Sequence, residues 1–204
     1  MEDRGSALAR RKARVERTTR ETRIWVEVDL DGTGQGSVET PLPFLSHMVQ
    51  QIARHGALDL NVRAEGDVDV DGHHTTEDLG LVLGKAVRDA LGDAAGIRRY
   101  GFATLPMDET LVSAAIDLSG RPVMVFRVPL PKSKIGTWDA ELAPVFFEGF
   151  VRGCQATLHL HLVTGDNLHH IVEGVFKAFA RSLREAVTPD PRAPGVPSTK
   201  GILV

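Results

Sequence analysis

One pattern decides the fold and occurs twice in the chain, as His73-His74-Thr75-Thr76-Glu77 and again as His169-His170-Ile171-Val172-Glu173. Apolar residues at helical spacing follow each copy, which predicts a long amphipathic helix behind each motif. Positions i and i+4 of a helix lie on one face, so the first histidine and the glutamate of each copy can bind the same cation. The pattern therefore indicates a duplicated fold with two metal sites.

The repeat extends beyond the two motifs. Val28–Gly32 matches Ile116–Gly120 at an offset of 88 residues, whereas Arg88–Leu91 matches Arg184–Val187 at an offset of 96. The second half therefore holds about eight extra residues. We expect this insertion in the loop Pro129–Gly136.

The duplication predicts two pseudo-symmetric halves, residues 12–100 and 101–200, with irregular termini at residues 1–11 and 201–204. Within each half the hydrophobic pattern predicts the order strand, strand, helix, strand, helix. Strands are expected at Ile24–Leu30, Leu58–Ala64, Asp67–Val70, Leu111–Leu118 and Thr157–Val163, and short helices at Phe44–His55 and Phe146–Cys154. This alternation gives an α+β fold of two sheets, each covered by helices.

The composition is that of a globular protein, with 42% hydrophobic and 25% charged residues. The net charge of −3 gives no reason to expect a nucleic-acid partner. A single cysteine, Cys154, and the absence of a long apolar run predict a reducing, cytoplasmic location and no membrane partner. The basic stretch Arg10–Arg23 is expected to be mainly a solvated arm or strand edge, with phosphate contact and oligomer packing as alternatives.

Pseudo-two-fold symmetry of the motifs predicts a crossed pair of metal sites. Histidine and carboxylate ligands suit Mn²⁺, with Fe²⁺, Co²⁺ or Zn²⁺ also compatible, and the absence of a cysteine ligand disfavours a structural zinc site. The two halves could meet within one chain or in a symmetric oligomer. The expected ligand sets are His73, Glu77 and His170 for one cation, and His169, Glu173 and His74 for the other.

A second histidine pair, His47 and His55, lies on the predicted helix Phe44–His55. The two are eight positions apart, close to two helical turns, so both can face one pocket. We expect His47 to join the second ligand set and His55 to be a substrate contact or a structural residue. The repeat position of His47 falls within 143–145, which offers no ligand, so one metal site is expected to be a ligand short.

These residues resemble the imidazoleglycerol-phosphate dehydratase family over nearly the whole chain, from Glu16 to Leu203. The resemblance implies a duplicated split β-α-β fold of the type seen in domain 2 of ribosomal protein S5. It also implies a homo-oligomeric shell of 24 subunits with the active sites between subunits. The segments that carry it are Arg17–Thr22, Leu30–Gly34, His47–His55, His73–Asp78, Pro106–Glu109, Asp117–Pro122, His169–Glu173 and Pro197–Gly201.

The resemblance further implies the reaction, a step of histidine biosynthesis. The family dehydrates D-erythro-imidazole-glycerol phosphate to imidazole-acetol phosphate and water, through an imidazolate stabilised by two Mn²⁺ ions per subunit. Two metals make chemical sense because the proton removed is weakly acidic unless the ring anion is stabilised. By resemblance Glu21 is favoured as the proton shuttle, with a surface carboxylate paired to an arginine as the alternative.

The implied site residues fall into three groups. Guanidinium, ammonium and hydroxyl groups suit a phosphoryl dianion, although the arginines could be structural, Lys177 a solvated lysine and the Ser-Thr-Lys tail disordered. The catalytic candidates are Glu21, Glu77 and Glu173; the metal ligands are His47, His73, His74, Glu77, His169, His170 and Glu173; the substrate contacts are Glu21, His47, Gln51, His55, Arg99, Arg121, Lys177, Ser198, Thr199 and Lys200.

Three positions depart from the family pattern. Ser46 stands where an aspartate is usual, Pro41–Pro43 replaces a glycine-containing stretch, and Val145 stands where many members carry a ligating histidine. Two other functions therefore remain open beside the dehydratase. One is a two-metal hydrolase, and the other is a metal-stapled assembly protein that has lost catalysis.

Overall fold

The computed structural model describes residues 10–201 and 203 of the chain. They form ten strands and four helices, in an order that runs twice through the same plan. The first half comprises β1 (Lys12–Thr18), β2 (Thr22–Asp29), β3 (Val38–Glu39), α1 (Pro43–Gly56), β4 (Asp59–Gly66) and α2 (His73–Leu91). The second comprises β5 (Tyr100–Met107), β6 (Thr110–Asp117), β7 (Val123–Arg127), β8 (Lys134–Ile135), β9 (Trp138–Asp139), α3 (Leu142–Cys154), β10 (Thr157–Thr164) and α4 (Leu168–Val187).

Each half forms a four-stranded sheet with the same topology, β1-β2-β4-β3 in the first and β5-β6-β10-β7 in the second. The outer strands β3 and β7 run parallel to β4 and β10, while the other pairs are antiparallel. Helix α1 connects the parallel pair of the first sheet and α3 that of the second. The predicted α+β architecture, a split β-α-β unit present twice, is confirmed.

The core lies where the inner face of each sheet meets the helices. In β2, Ile24, Val26 and Val28 are fully buried while the residues between them face outward, as the two-residue repeat of a strand requires. Helix α2 packs on the first sheet and α4 on the second, and the helices also pack in the pairs α1–α4 and α2–α3. The four helices therefore form a shared layer between the two sheets.

Helices α2 and α3 approach each other through their backbones. A Cβ on Gly149 would lie 2.4 Å from the Glu77 carbonyl oxygen, and one on Gly84 would lie 2.2 Å from that of Phe150, so only glycine fits at these positions. In the α1–α4 pair the repeat position of Gly149 is Gln51 and that of Gly84 is Ala180, so side chains stand where the other pair has only glycine. The two helix pairs are therefore related by the repeat but provide different environments.

Several predicted elements are corrected by the structure. Asp67–Val70 is a turn and not a strand, closed by a hydrogen bond from Val70 N to Asp67 O at 2.8 Å. Its alternating Asp and Val imitate a strand, but Val70 is 72% exposed and has no sheet to pack on. Helix α3 begins four residues earlier than predicted, and the edge strands β1 and β5 were not predicted as separate elements.

The extra residues of the second half form the β8–β9 hairpin, beside the predicted insertion point. Part of the basic N-terminal stretch is strand β1, which agrees with the expectation of a solvated arm or strand edge. The predicted irregular termini lie largely outside the described residues. None of the four helices combines the length and the apolar character needed to span a bilayer.

Candidate active site

The second motif brings three potential metal ligands together at the start of α4. Glu173 Oε2 lies 3.0 Å from Nε2 of His169 and 3.3 Å from Nε2 of His47, which α1 supplies from across the helix layer. Ligand atoms of these three residues all lie within 4.8 Å of one another. Imidazole nitrogens with a carboxylate oxygen are a donor set that suits a divalent transition metal, so these side chains fit the metal that the sequence predicts.

Glu173 is the buried member of this cluster, and it has a third neighbour. Lys177, one turn further along α4, places Nζ 2.6 Å from Glu173 Oε1. Burial raises the pKa of Glu173, but the hydrogen bonds from Lys177 and His169 outweigh it and hold the pKa below its usual value. The carboxylate is therefore ionised and ready to bind a cation at neutral pH.

Helix α1 presents a polar row toward α4, as its eight-residue histidine spacing predicted. The Gln51 side chain links His47, at 3.4 Å, to His55, at 3.1 Å. Burial lowers the pKa of His55, and the positive charges of Lys177 and Arg181 lower it further. His55 is therefore mainly neutral at pH 7. It lines a cleft beside α4 that does not include His47, so the two histidines share a helix face but not the one pocket expected for them.

The second histidine of each motif is held by a carboxylate through Nδ1. His74 Nδ1 lies 2.9 Å from Asp67 Oδ2, and His170 Nδ1 lies 2.8 Å from Glu109 Oε2. These hydrogen bonds raise the pKa of both histidines. Such contacts orient an imidazole and leave its Nε2 as the free nitrogen, the arrangement usual for metal-binding histidines.

The first motif does not form a matching cluster within one chain. His73 is exposed, and the Glu77 carboxylate accepts a hydrogen bond from Arg152 Nη1 at 2.5 Å. Across residues 10–201 and 203, the group of His47, His169 and Glu173 is the one whose ligand atoms converge. The crossed set of His73, Glu77 and His170 is therefore not assembled by a single chain.

Val145 occupies the repeat position of His47. Helices α1 and α3 end in left-handed residues, Ala57 and Gln155, at an offset of 98, and the same offset joins His47 to Val145. Val145 packs against the hydrophobic core. His159 cannot fill this gap within the chain, because it lies on the exposed face of β10 while its neighbours Leu158 and Leu160 point to the helices.

The candidate phosphate ligands lie mostly in one cleft of about 840 Å³. It is lined by Arg99, Arg121 and the tail segment 197–200, and the Arg99 guanidinium donates to Asp117 at 2.7 Å and to the Pro197 carbonyl at 2.7 Å. The ion pair with Asp117 raises the pKa of Arg99. Lys177 is not part of this cleft, since its ammonium group lies on Glu173.

One further candidate, Glu21, and three unpredicted residues complete the description. Glu21 Oε2 lies 3.9 Å from His74 Nδ1, at the turn between β1 and β2. Asp67, Glu109 and Arg152 contact motif residues but were not predicted as site residues. Glu109 could have been found, because it is the repeat counterpart of Glu21; Asp67 and Arg152 gave no such signal.

The sequence and the fold match one family throughout. The family model for imidazoleglycerol-phosphate dehydratase matches residues 40–183. Imidazoleglycerol-phosphate dehydratases from Trichlorobacter lovleyi and Citrifermentans bemidjiense are 54% and 56% identical to this chain, each over 95% of it and over 100% and 99% of the relative.

Two crystal structures of imidazoleglycerol-phosphate dehydratase share the fold. The Staphylococcus aureus protein superposes with a TM-score of 0.79 at 37% identity, over 87% of this chain and 99% of that one. The Pyrococcus furiosus protein, solved in complex with (S)-C348, gives 0.80 at 35% identity, over 93% and 100%. The chain therefore belongs to the imidazoleglycerol-phosphate dehydratase family, the lyases of histidine biosynthesis.

Proposed function

We propose that this chain removes water from D-erythro-imidazole-glycerol phosphate at a site built around the convergence of His47, His169 and Glu173. That convergence carries the proposal, because it brings together three ligand atoms of suitable chemistry. All three residues lie within the part of the chain that the family model matches, residues 40–183. The product is imidazole-acetol phosphate. The reaction breaks a C–H bond and a C–O bond on neighbouring carbons and leaves the phosphate ester intact.

Two divalent ions per subunit, in the crossed arrangement of the motifs, belong to the proposal. His47, His169 and Glu173 would hold one ion with His74, while His73, Glu77 and His170 would hold the other. Mn²⁺ suits these nitrogen and oxygen donors. A divalent cation at this site would supply Lewis-acid stabilisation for the negative charge that develops on the imidazole ring.

The incomplete first motif supports sites between subunits. Within one chain Glu77 is paired with Arg152, and His170 lies on Glu109. Another copy of the chain is the natural source of the missing ligands, because a symmetric assembly repeats every contact. We infer a closed homo-oligomer and favour the 24-subunit shell that the resemblance implies.

Proton transfer is assigned to Glu21. Its side chain is 56% exposed, its carboxylate accepts no hydrogen bond from the described residues, and it lies 3.9 Å from His74. A free carboxylate beside a motif histidine is placed to take the proton from the carbon next to the ring. Glu77 and Glu173, which were the other catalytic candidates, act as ligands in this proposal.

Substrate phosphate is assigned to the cleft of Arg99, Arg121 and residues Ser198–Lys200. Arg121 is 63% exposed there and is available for a ligand. The Arg99 contact with the Pro197 carbonyl holds the tail over the cleft. Gln51, His55 and Lys177 are proposed to contact the rest of the substrate, in part from a neighbouring subunit, and the enzyme is proposed to work in the cytoplasm.

One assay separates this function from the two rivals. The dehydratase forms imidazole-acetol phosphate with no inorganic phosphate released, whereas a two-metal hydrolase cleaves an ester or amide, and a pure assembly protein shows no turnover. The family match does not favour either rival. Growth of a histidine auxotroph that lacks this step, restored by the wild-type chain, would support the proposal, and no product from metal-loaded protein would contradict it.

A matched pair of variants ties the activity to the cluster. Glu173→Gln removes the buried carboxylate, and we expect loss of growth and of product. Glu148→Gln makes the same carboxylate-to-amide replacement at an exposed glutamate of α3. This variant should restore growth as well as the wild type does.

A further inference from the structure

The two halves of the fold carry the same pair of carboxylates beside their second motif histidine. One is a glutamate at the turn of the first hairpin, Glu21 directly before β2 and Glu109 directly before β6. These two residues are repeat partners, at the same offset of 88 that relates β2 to β6. Each half therefore has one glutamate at this turn, near its motif.

The other carboxylate is an aspartate that follows a glycine, Asp67 after Gly66 and Asp166 after Gly165. A Cβ on either glycine would approach the first residue of the neighbouring strand, Thr22 of β2 or its repeat partner in β6. The two glycines are thus structurally equivalent, and so are the aspartates after them. The glycines are 99 positions apart, one more than Val62 of β4 and Leu160 of β10, which are repeat partners at an offset of 98. The β-bulge between Leu162 and Thr164 supplies the extra residue.

The two halves use these carboxylates in opposite ways. In the first half Asp67 Oδ2 lies 2.9 Å from His74 Nδ1, and Glu21 remains 3.9 Å away. In the second half Glu109 takes the corresponding contact with His170 at 2.8 Å, and the side chain of Asp166 is exposed. In the first half the aspartate binds the histidine and the glutamate is free. In the second half the glutamate binds the histidine and the aspartate is free.

The surrounding donors explain the exchange. Glu109 Oε1 also accepts the backbone N–H of Asn167 at 3.0 Å and the Thr110 hydroxyl at 3.0 Å. Its other oxygen, Oε2, faces His170 Nδ1 at 2.8 Å, so both oxygens of the carboxylate are engaged. The turn glutamate of the second half is therefore fully committed to structure.

The first half withholds the same donors from Glu21. Thr22, the repeat partner of Thr110, donates its hydroxyl to the buried Asp78 instead. The loop before α2 is also longer, six residues at 67–72 against three at 165–167, so no helix-start N–H reaches Glu21. Asp67 begins this longer loop and makes the contact with His74 that Glu109 makes with His170 in the second half.

We propose that Asp67 is a positioning residue of the active site, which orients His74 and thereby leaves the Glu21 carboxylate free to move a proton. The inference rests on the proposed role of Glu21 and goes beyond it by stating what keeps that group available. Without Asp67, Glu21 is the nearest carboxylate to His74 and would take up the contact that Glu109 makes with His170.

The test compares four single variants and two double variants of the full-length, Mn²⁺-loaded protein. Glu21→Gln should lower kcat by about 10²- to 10⁴-fold, the usual contribution of a general base. Asp67→Ala should lower kcat by at least about tenfold, because Glu21 is drawn onto His74. The double variant Asp67→Ala/Glu21→Gln should be no slower than Glu21→Gln alone, since the two changes disable one group.

Manganese affinity gives a second, independent readout. Calorimetric titration of metal-stripped protein should show Asp67→Ala close to the wild type, since Glu21 replaces the lost partner of His74. A second double variant, Asp67→Ala/Glu21→Ala, offers His74 Nδ1 neither a carboxylate nor an amide acceptor at these positions and should bind one class of Mn²⁺ about 10- to 100-fold more weakly. A crystal structure of Asp67→Ala should show the Glu21–His74 distance shortened from 3.9 Å to a hydrogen bond.

Two controls separate positioning from folding. Asp166→Ala removes the equivalent but unengaged aspartate and should keep kcat within about twofold of the wild type, as a surface change does. Asp67→Asn keeps an acceptor for His74 Nδ1 and should retain most of the activity even if Asp67→Ala folds poorly.

The inference is overturned if Glu21→Gln is impaired but Asp67→Ala keeps wild-type kcat, or if the losses of the two single variants multiply in Asp67→Ala/Glu21→Gln. Wild-type kcat in Glu21→Gln would be a different failure, that of the proposed proton shuttle itself, and would remove the ground for the inference.

Discussion

Glu173 and His47 lie 126 positions apart in sequence, yet Oε2 of the first and Nε2 of the second are 3.3 Å apart. The contact joins α4 of the second half to α1 of the first, two helices that pack side by side in the shared helix layer. A metal that binds here therefore connects both halves of the duplicated fold. Among the described residues the first motif makes no such connection.

Substitution at Val145 tests the inequality of the two metal sites. Val145 takes the repeat position of His47, so in the proposed crossed arrangement the site of His73, Glu77 and His170 would have one protein ligand fewer than its partner. Titration of stripped wild-type protein should show one tight and one weaker class, because fewer ligands leave more positions to water. Val145→His should tighten the weaker class by about tenfold or more.

Val145 packs against the hydrophobic core, so a larger side chain at this position could destabilise the fold as well as bind metal. Overpacking a filled site costs about 1–3 kcal/mol, so thermal unfolding of the variant must be measured beside its metal affinity. Val145→Leu, which adds bulk without a ligand, is the matched control. Equal affinity of both classes in the wild type, unmoved by Val145→His, would show that another group already completes the site.

Removal of metal should loosen the assembly. Ligands supplied by different subunits hold those subunits together only while the ion is bound, so metal stabilises the assembled state alone. Light scattering should give a lower mass after treatment with a strong chelator and full recovery after Mn²⁺ is added back. An unchanged mass after verified metal removal would place each site within one chain.

The tail lysine Lys200 should act on substrate binding. It lines the phosphate cleft with Arg99 and Arg121. Lys200→Ala should raise KM about tenfold or lower kcat/KM by a similar factor, through loss of one charged contact to phosphate. Metal content and melting temperature should stay unchanged, and wild-type kinetics would refute the role. Arg192→Ala, an exposed cation outside the cleft, is the control.

Cys154 should be unreactive in the folded protein. Burial raises the pKa of its thiol to about 12, well above the ordinary value of 9.0. At pH 8 a thiol reagent should therefore modify folded protein far more slowly than unfolded protein, since the thiolate is the nucleophile. Above pH 9 the unfolded chain loses a proton that the folded chain keeps, so this group lowers the free energy of unfolding as the pH rises. Rapid labelling of native protein at pH 8 would contradict the assignment.

The duplication, the α+β class and the motif helices could be predicted from the sequence because they depend on local periodicity and on an offset visible in one chain. The turn at Asp67–Val70 could not, since an alternating Asp-Val pattern looks like a strand until the lack of a partner strand is known. Its polar residues follow a glycine, a signal for a loop that a strand pattern can hide.

For the site residues, too, contacts within one helix could be predicted from the sequence, whereas contacts between distant segments could not. The i, i+4 pairing of His169 with Glu173 follows from helix geometry and is present in the structure. The equal pairing expected for His73 with Glu77 is absent because Arg152, from another helix, competes for the carboxylate. A repeat predicts which residues correspond, but the long-range donors around each copy decide which contacts form.

The most direct test measures bound manganese and product formation on the same preparations of wild-type protein, Glu173→Gln and Glu148→Gln. We predict two ions per subunit and formation of imidazole-acetol phosphate for the wild type and for Glu148→Gln. For Glu173→Gln we predict the loss of at least one ion together with a fall in kcat of about 10²-fold or more. Wild-type turnover by Glu173→Gln with that ion missing, or by fully stripped wild-type protein, would contradict a metal-dependent dehydratase centred on this glutamate.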